Sequence, residues 1–261
     1  MLLDWIRALR FGVRAELRQE IDRFSFPSGG DIRADISTKY DFDNDLLHLF
    51  ANGQRECLVH KWHHYIPIYD RYFSGFRGRQ IRFLEIGVSK GGSLEMWRQY
   101  LGPDAIIFGV DIDPECAKYN GRFAQVRIGS QTDISFLSEV VEEMGGSVDV
   151  VLDDGSHNMS DILFSLRTLF PRLNRGGVYL IEDLHTAYWR KNGGGYGSSN
   201  NFFNVVRDLI DDMHHWYHGK KMREQLIGEA CSGLHVHDSI CVLEKRGVFR
   251  PVHSRVTPSY Y

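Results

Sequence analysis

Two short acidic clusters, each directly after an apolar segment, could hold a cation. Residues 153–157 read Asp-Asp-Gly-Ser-His after the apolar segment 148–152, and the Glu-Asp pair 182–183 follows the apolar segment 178–181. Apolar β-branched runs of this length are typical of buried parallel strands, whose carboxyl ends form the ligand crevice of open α/β sheets. Carboxylates gathered there repel one another unless a hard divalent cation or shared protons neutralise them, so we expect an ion such as Mg²⁺. His157, beside the cluster, is a candidate general base.

The elements that must position these clusters are predicted by an alternation of apolar and helical patterns from residue 81 onward. Strands are expected over 81–86, 105–110, 124–128, 148–152 and 178–181, and helices over 93–101, 114–120, 133–143, 159–173 and 201–218. Two further strand-like segments, 226–237 and 239–244, meet at Asp238 and predict a terminal antiparallel hairpin. The alternation implies an α/β, doubly wound, mostly parallel sheet. Seven strands with an antiparallel last pair fit the Rossmann-like class I methyltransferase fold better than a six-stranded dinucleotide fold.

A glycine-rich turn after the first strand indicates a nucleotide-like ligand. Residues 85–93 contain glycines at 87, 91 and 92, which let the backbone approach a ligand closely before a helix opens. This spacing differs from the GxGxxG motif of dinucleotide sites. Glu85 suits a cationic amino group instead. Asp111, at the end of the second strand, suits ribose hydroxyls, and the alternative is that it is an ordinary turn residue. Asp113 before Pro114 is expected to cap a helix.

Composition excludes several classes of protein. The chain has 261 residues with 31 Lys and Arg against 34 Asp and Glu, and this net charge of −3 does not predict a nucleic-acid footprint. Its four cysteines lack zinc or disulfide spacing, which favours reduced thiols. No apolar stretch approaches the roughly 20 residues that cross a bilayer, and arginines interrupt the N-terminus where a signal peptide would be apolar. We therefore expect a cytoplasmic protein.

Residues 1–24 predict an amphipathic helix, because apolar residues recur at spacings of three and four with arginines between them. Its apolar face could pack on the domain or on a second subunit of a homo-oligomer. It could also make a peripheral contact with the inner membrane face, since four arginines and two aromatic residues suit an anionic interface. Turn residues at 26–30 then predict a boundary, giving an N-terminal helix and linker over 1–30 and a main domain over 31–261.

Six sequence motifs together resemble a known family. The chain is similar to class I S-adenosylmethionine-dependent O-methyltransferases, in particular the metal-dependent macrolide-sugar group of the mycinamicin VI 2''-O-methyltransferase kind, with cephalosporin hydroxylase-like proteins as relatives. The matching segments are 61–65, 85–93, 109–111, 129–133, 153–157 and 181–186, within residues 60–189. We expect the chain to lack the large N-terminal domain of the macrolide enzymes.

The resemblance implies the roles of individual residues. Mg²⁺ would be held by Asp154, Glu182 and Asp183, with His157 as catalytic base on a sugar hydroxyl and His185 as the alternative base. The S-adenosylmethionine site would comprise Lys61, His64, Tyr65, Glu85, Gly87, Ser93, Asp111, Ser130, Gln131 and Asp153. For Asp153 the alternative is that its side chain faces back into the sheet or caps the next helix.

The expected activity is therefore methyl transfer from S-adenosylmethionine to a sugar hydroxyl. The acceptor could be a glycoside, a nucleotide sugar or a glycan, and residues 186–190 with the loop 193–200 could contact it or merely connect elements. Two other functions stay open at this point. One is an oxidoreductase on a related dinucleotide fold, and the other is a catalytically idle binding or assembly subunit.

Overall fold

The apolar runs form a single seven-stranded sheet in the computed structural model, which describes residues 24–256. The strands are β1 Arg82–Ile86, β2 Ile106–Asp111, β3 Gln125–Ile128, β4 Val148–Asp153, β5 Leu173–Ile181, β6 Cys231–His237 and β7 Ile240–Lys245. Their order is β3-β2-β1-β4-β5-β7-β6, with β1 to β5 parallel and β7 antiparallel to both β5 and β6. The predicted doubly wound sheet with an antiparallel terminal hairpin is confirmed.

Helices cover both faces of this sheet. The α-helices are α1 Ile32–Tyr40, α2 Asp45–Asn52, α3 Tyr65–Phe73, α4 Gly92–Leu101, α5 Ile134–Glu143, α6 Met159–Leu169, α7 Phe202–Met213, α8 His215–His218 and α9 Gln225–Gly228, and shorter 3₁₀ turns include Pro114–Tyr119, Phe170–Arg172, Leu184–Tyr188 and Arg190–Asn192. Side-chain oxygens of Asp31, Asn44, Asp133 and Asn201 accept main-chain N–H groups at helix starts, which satisfies donors left free in the first turn. Asp113 caps the Pro114–Tyr119 turn in the predicted way.

Several predicted elements differ in the structure: the segment 201–218 forms two helices, Phe202–Met213 and His215–His218, and the predicted helix 114–120 is the 3₁₀ turn Pro114–Tyr119. Strand β5 begins at Leu173 rather than at 178, because a bulge shifts its register against β4 between the pairs Val148–Leu173 and Val150–Val178. Helix α6 ends at Leu169, since Pro171 lacks the N–H that would continue it. The chain around Leu226 forms α9 rather than a strand, because the Glu224 carbonyl accepts two amides in a helical turn.

Packing places the two acidic clusters side by side. Strands β4 and β5 pair in parallel, with Asp153 opposite Ile181, so Asp154 and Glu182 are the first residues past neighbouring strand ends. The Glu182 amide donates to the Asp153 carbonyl at 3.1 Å, which continues the pairing by one residue. Buried apolar residues on each face of the sheet hold both strands in place. The predicted meeting of the fourth and fifth strand ends is confirmed.

The predicted amphipathic helix over 1–24 lies outside the described residues except for its last position. Within residues 24–256, every helix is too short or too polar to cross a membrane.

Candidate active site

The turn between β1 and α4 forms one wall of a cavity of about 630 Å³. Gly87 has φ +95°, and a Cβ on it would lie 2.0 Å from the Asp154 carbonyl oxygen, so only glycine fits there. Glu85 is fully buried beneath the turn, and Ser93 donates its hydroxyl to one of its carboxylate oxygens. The other oxygen has no hydrogen-bond partner within residues 24–256. Burial raises the pKa of Glu85 to about 7, so this carboxyl group fits a cationic partner such as an amino group.

Asp111 borders the same cavity at the end of β2. Its carboxylate accepts the main-chain N–H groups of Val88 at 2.8 Å, Ser89 at 3.0 Å and Asp113 at 2.9 Å. Burial alone would raise the pKa of Asp111, but these amide donors outweigh burial and lower it. The side chain is therefore an ionised, fixed acceptor, which suits ribose hydroxyls.

The acidic cluster lines the same cavity and contains a buried lysine. Lys61 Nζ lies 2.5 Å from Asp154 Oδ2 and 2.6 Å from Glu182 Oε1. Tyr69 donates its hydroxyl to the second oxygen of Glu182. Burial, which would lower the pKa of Lys61, is outweighed by the two carboxylates, so its pKa is raised and the amine stays protonated. Burial and the Asp154 carboxylate raise the pKa of Glu182.

Three further ligand atoms converge beside this lysine. His157 Nε2 lies 3.7 Å from Asp154 Oδ1 and 3.7 Å from Asp183 Oδ2, and one donor atom from each residue lies within 4.8 Å of the others. Carboxylate oxygens suit hard divalent cations, so the Asp154 and Asp183 oxygens fit Mg²⁺, whereas the imidazole of His157 is better suited to accept a proton. His157 and Asp183 both have left-handed backbone angles, φ 55° and 58°, which turn their side chains toward one point.

The β6–β7 turn completes the cluster from the far end of the chain. Tyr65 places its hydroxyl 2.8 Å from both Asp183 Oδ1 and Ser239 Oγ. The same Ser239 hydroxyl accepts the His185 amide at 3.0 Å and lies 2.7 Å from His185 Nδ1. The predicted alternative base His185 is thus tied to the hairpin turn, and burial lowers its pKa.

Most of the residues predicted for the cofactor site line the first cavity or lie just beneath it. Lys61, Tyr65, Gly87, Ser93, Asp111, Ser130 and Gln131 are among its wall residues. The buried Gln131 accepts the Ser156 amide at 2.7 Å and so links the walls formed by the chain after β3 and after β4. Two predicted residues lie elsewhere.

Asp153 points away from the cavity. Its buried carboxylate accepts the hydroxyls of Ser165 at 2.5 Å and Tyr179 at 2.9 Å inside the core, as in the alternative that it faces back into the sheet. His64 borders a second cavity instead, where its imidazole lies 3.2 Å from the Asp238 carbonyl oxygen. Successive residues of a strand point to opposite faces, which explains why Asp154 but not Asp153 reaches the cluster.

Several residues of the site were not predicted from the sequence. Tyr69 could have been found from its position one helical turn after Tyr65 on the same face of α3. Thr186 and Asn192 both donate to the His157 carbonyl, at 3.3 and 3.0 Å. Nothing in the spacing of Asn192 or Ser239 indicates these contacts, because they depend on tertiary packing.

A second cavity of about 870 Å³ shares the wall residues Lys61 and Trp62 with the first. Aromatic side chains line it, including Trp62 and Trp189, whose ring centroids lie 5.3 and 4.9 Å from that of His185. Such faces are suited to stacking on apolar or sugar ligands. The first cavity contains the acidic cluster, and the second adjoins it at the wall that includes Lys61 and Trp62.

Comparison with known proteins gives related sequences and folds. Residues 84–184 match a family described as a methyltransferase domain. The chain is 37% identical over 196 residues to the 8-demethyl-8-(2-methoxy-alpha-L-rhamnosyl)-tetracenomycin-C 3'-O-methyltransferase of Streptomyces olivaceus, covering 70% of this chain and 50% of the relative. It is 34% identical over 195 residues to the mycinamicin VI 2''-O-methyltransferase of Micromonospora griseorubida, covering 70% and 48%. The chain thus spans about half the length of these curated relatives.

The fold comparison agrees with the sequence comparison. The structure of the MycE methyltransferase from the mycinamycin biosynthetic pathway, in complex with Mg, SAH and mycinamycin VI, matches with a TM-score of 0.64 at 30% identity. The match covers 84% of this chain and 55% of that one. Together, sequence and fold show that the chain belongs to the class I methyltransferases, in the group that includes these sugar O-methyltransferases.

Proposed function

We propose that the protein is a Mg²⁺-dependent enzyme that transfers a methyl group from S-adenosylmethionine to a sugar hydroxyl. One observation supports this most strongly: the glycine turn, Asp111 and the acidic cluster line the same cavity of about 630 Å³. The relatives are named as O-methyltransferases of sugar-bearing compounds, and the similar MycE structure is described with Mg and SAH. A shared cavity supports a reaction that needs a methyl donor and a metal together.

The residues around the glycine turn would hold the cofactor. Glu85 would pair with its amino group, Gly87 would allow close approach of the backbone, and Asp111 would accept its ribose hydroxyls. Ser130 and Gln131 would border the adenine. When bound, S-adenosylmethionine supplies a methyl group activated by a sulfonium leaving group, so the main task left to the protein is alignment.

Asp154, Glu182 and Asp183 would hold the metal ion. Mg²⁺ supplies a Lewis acid, which a sugar hydroxyl needs because it is too weak an acid to ionise at neutral pH. His157 would accept the hydroxyl proton at Nε2, a contribution that is typically of the order of 10²- to 10⁴-fold. Asp183, 3.7 Å from that nitrogen, would stabilise the protonated imidazole.

The acceptor would place its reacting hydroxyl at His157 in the first cavity and extend into the second, next to His185 and Trp189. Its aromatic lining supports stacking on a sugar face, and its volume exceeds that of a single sugar residue. The proposed acceptor is a sugar-containing small molecule or glycan, with a glycoside, a nucleotide sugar and a polysaccharide end as the three cases to test.

The test is methyl transfer by the purified full chain. Labelled S-adenosylmethionine is offered with one acceptor of each kind, in Mg²⁺ and after EDTA treatment. The proposal predicts label in at least one sugar acceptor, loss of transfer in EDTA and recovery with added Mg²⁺. Transfer that EDTA leaves unchanged would contradict the metal role.

The two other functions give different binding results. S-adenosylhomocysteine should raise the melting temperature of this protein and NADH should not, because a ligand that binds only the folded state stabilises it. Stabilisation by NADH alone would indicate an oxidoreductase. An idle assembly subunit would show no stabilisation by either ligand.

Partner contacts of residues 1–24 stay a prediction. An amphipathic segment with four arginines supports either homo-oligomer formation or peripheral contact of a cytoplasmic protein with the inner face of the membrane. The test compares the full chain with a chain that begins at residue 24. Loss of the oligomer in sedimentation would indicate a subunit contact, and loss of flotation with anionic vesicles would indicate a membrane contact.

A further inference from the structure

Lys61 is a buried cation placed between two of the proposed metal ligands. Its side chain is 3% exposed, and its ammonium contacts Asp154 Oδ2 at 2.5 Å and Glu182 Oε1 at 2.6 Å. The lysine comes from the segment before α3, more than 90 positions from either carboxylate in sequence. Removing an ammonium from water is unfavourable unless it is paired, so this contact is a built feature of the site.

The lysine engages only part of the available oxygen atoms. The second oxygen of Glu182 accepts the Tyr69 hydroxyl, whereas Asp154 Oδ1 and Asp183 Oδ2 each lie 3.7 Å from His157 Nε2. A cation held by Asp154 Oδ1 and Asp183 Oδ2 is thus compatible with a paired Lys61. The ammonium and a metal ion would nevertheless compete for the same negative charge.

The charges of the cluster support this relationship. Asp154, Glu182 and Asp183 carry three negative charges when ionised, and Lys61 carries one positive charge, which leaves two negative charges. One divalent cation would neutralise that remainder. Without Lys61 the metal-free site would hold three uncompensated carboxylates at close range, which is strongly unfavourable at low dielectric.

We propose that Lys61 is a positioning residue of the metal site, whose ammonium orients and partly neutralises Asp154 and Glu182 before a metal binds. It keeps the metal-free protein folded and limits the affinity for the metal. The inference rests on the metal site of the proposed function, and its test reads metal binding and stability rather than methyl transfer.

The test compares Lys61→Met with the wild type in the full chain, using Mn²⁺ alone as the probe. We expect Lys61→Met to bind Mn²⁺ at least about tenfold more tightly by calorimetry, because a competing positive charge has been removed. The melting temperature without metal should fall, and Mn²⁺ should raise it by more than in the wild type. Unchanged or weaker Mn²⁺ affinity overturns the proposal.

Three further variants make the result specific. Lys61→Arg keeps the charge and should restore the wild-type Mn²⁺ affinity and metal-free melting temperature. Lys61→Met combined with Glu182→Gln removes one charge of each sign and should recover metal-free stability; if it stays as unstable as Lys61→Met, the lysine acts by packing alone and the proposal fails. Lys39→Met, at an exposed lysine that pairs with the half-buried Asp35 outside the acidic cluster, is the control and should change neither quantity.

These variants decide the question even if Lys61→Met does not fold, because Lys61→Arg and the double variant report on charge separately. The outcome is also independent of the methyltransferase proposal. A wild type that binds no S-adenosylhomocysteine would refute that function and leave the Mn²⁺ results of the lysine variants interpretable.

Discussion

The side-chain N–H of Asn192 donates to the main-chain carbonyl of His157 at 3.0 Å, although the two residues lie 35 positions apart. Thr186 donates to the same carbonyl and, at 2.7 Å, to that of Asp183. The left-handed backbone of His157 is thus held by a turn that follows the second acidic cluster. The two loops that carry the proposed base and metal ligands are therefore fixed relative to each other.

Asn192→Ala should lower the methyl-transfer rate about tenfold, because a lost hydrogen bond of about 1 kcal/mol lets His157 leave its aligned position. The affinity for S-adenosylhomocysteine, measured by calorimetry, should stay within about twofold, since the cofactor turn is untouched. Asn204→Ala is the control, because Asn204 also donates to loop carbonyls, those of Ser198 and Ser199, away from His157. Equal losses in both variants would mean that the effect is general loosening.

His157→Gln should reduce methyl transfer by about 10²- to 10⁴-fold, the usual contribution of a general base. Mn²⁺ affinity should change by less than about threefold, because the three carboxylates supply most of the attraction for the ion. A loss of Mn²⁺ binding would instead make His157 a metal ligand and favour His185 as base. The exposed His214 provides a control substitution, His214→Gln, which should leave both measurements unchanged.

Asp183→Asn should weaken Mn²⁺ binding about 100-fold and abolish Mg²⁺-dependent transfer, since one anionic ligand becomes neutral. Binding of S-adenosylhomocysteine should persist, because Glu85 and Asp111 belong to the ends of β1 and β2 rather than to the acidic cluster. Asp104→Asn, in the exposed turn before β2, is the matched control. Wild-type Mn²⁺ affinity in Asp183→Asn would remove Asp183 from the metal site.

Glu85→Gln should change the pH dependence of stability. Burial raises the pKa of Glu85 to about 7, above the ordinary value of 4.5. The raised pKa therefore contributes stability to the wild type at pH values below 4.5, and this stability is lost as the pH rises to about 7. The neutral amide avoids this loss. Without ligand, the unfolding free energy of Glu85→Gln relative to wild type should therefore rise between pH 5 and pH 8, by up to about 3 kcal/mol. Melting temperatures of the two proteins measured across this pH range would show the change.

The same Glu85→Gln variant should bind S-adenosylhomocysteine at least about tenfold more weakly, because the amide cannot pair with an amino group. Calorimetry at pH 8 measures this directly. Ser232→Ala, at an exposed position in β6, serves as a control for handling and folding. An unchanged affinity would separate Glu85 from the cofactor site while leaving the stability prediction intact.

Trp189→Ala should raise the KM for the sugar acceptor about tenfold with kcat within about threefold, because a stacking face is lost while the reacting groups stay in place. Trp216→Ala, at an exposed tryptophan in α8, is the control. A fall in kcat without a change in KM would show that Trp189 positions His185, whose ring centroid is 4.9 Å away, rather than the acceptor.

The sequence by itself determined the sheet and the location of the site. Apolar runs identify strands, and carboxylates directly after two such runs must meet when the strands are parallel neighbours, because parallel strands end at the same edge. Glycine positions identified the turn at Gly87, where no side chain fits. Because successive side chains along a strand alternate between its two faces, the sequence also predicts that Asp153 and Asp154 point in opposite directions.

Only the tertiary structure decided which side chains surround those carboxylates. Lys61 reaches Asp154 and Glu182 across 93 and 121 positions, and Ser239 reaches Tyr65 across 174. Such contacts depend on how α3 and the β6–β7 turn pack against the sheet, and local periodicity carries no information about that packing. The sequence could therefore locate a cation site at the strand ends, whereas the lysine already paired within it became visible only once the chain was folded.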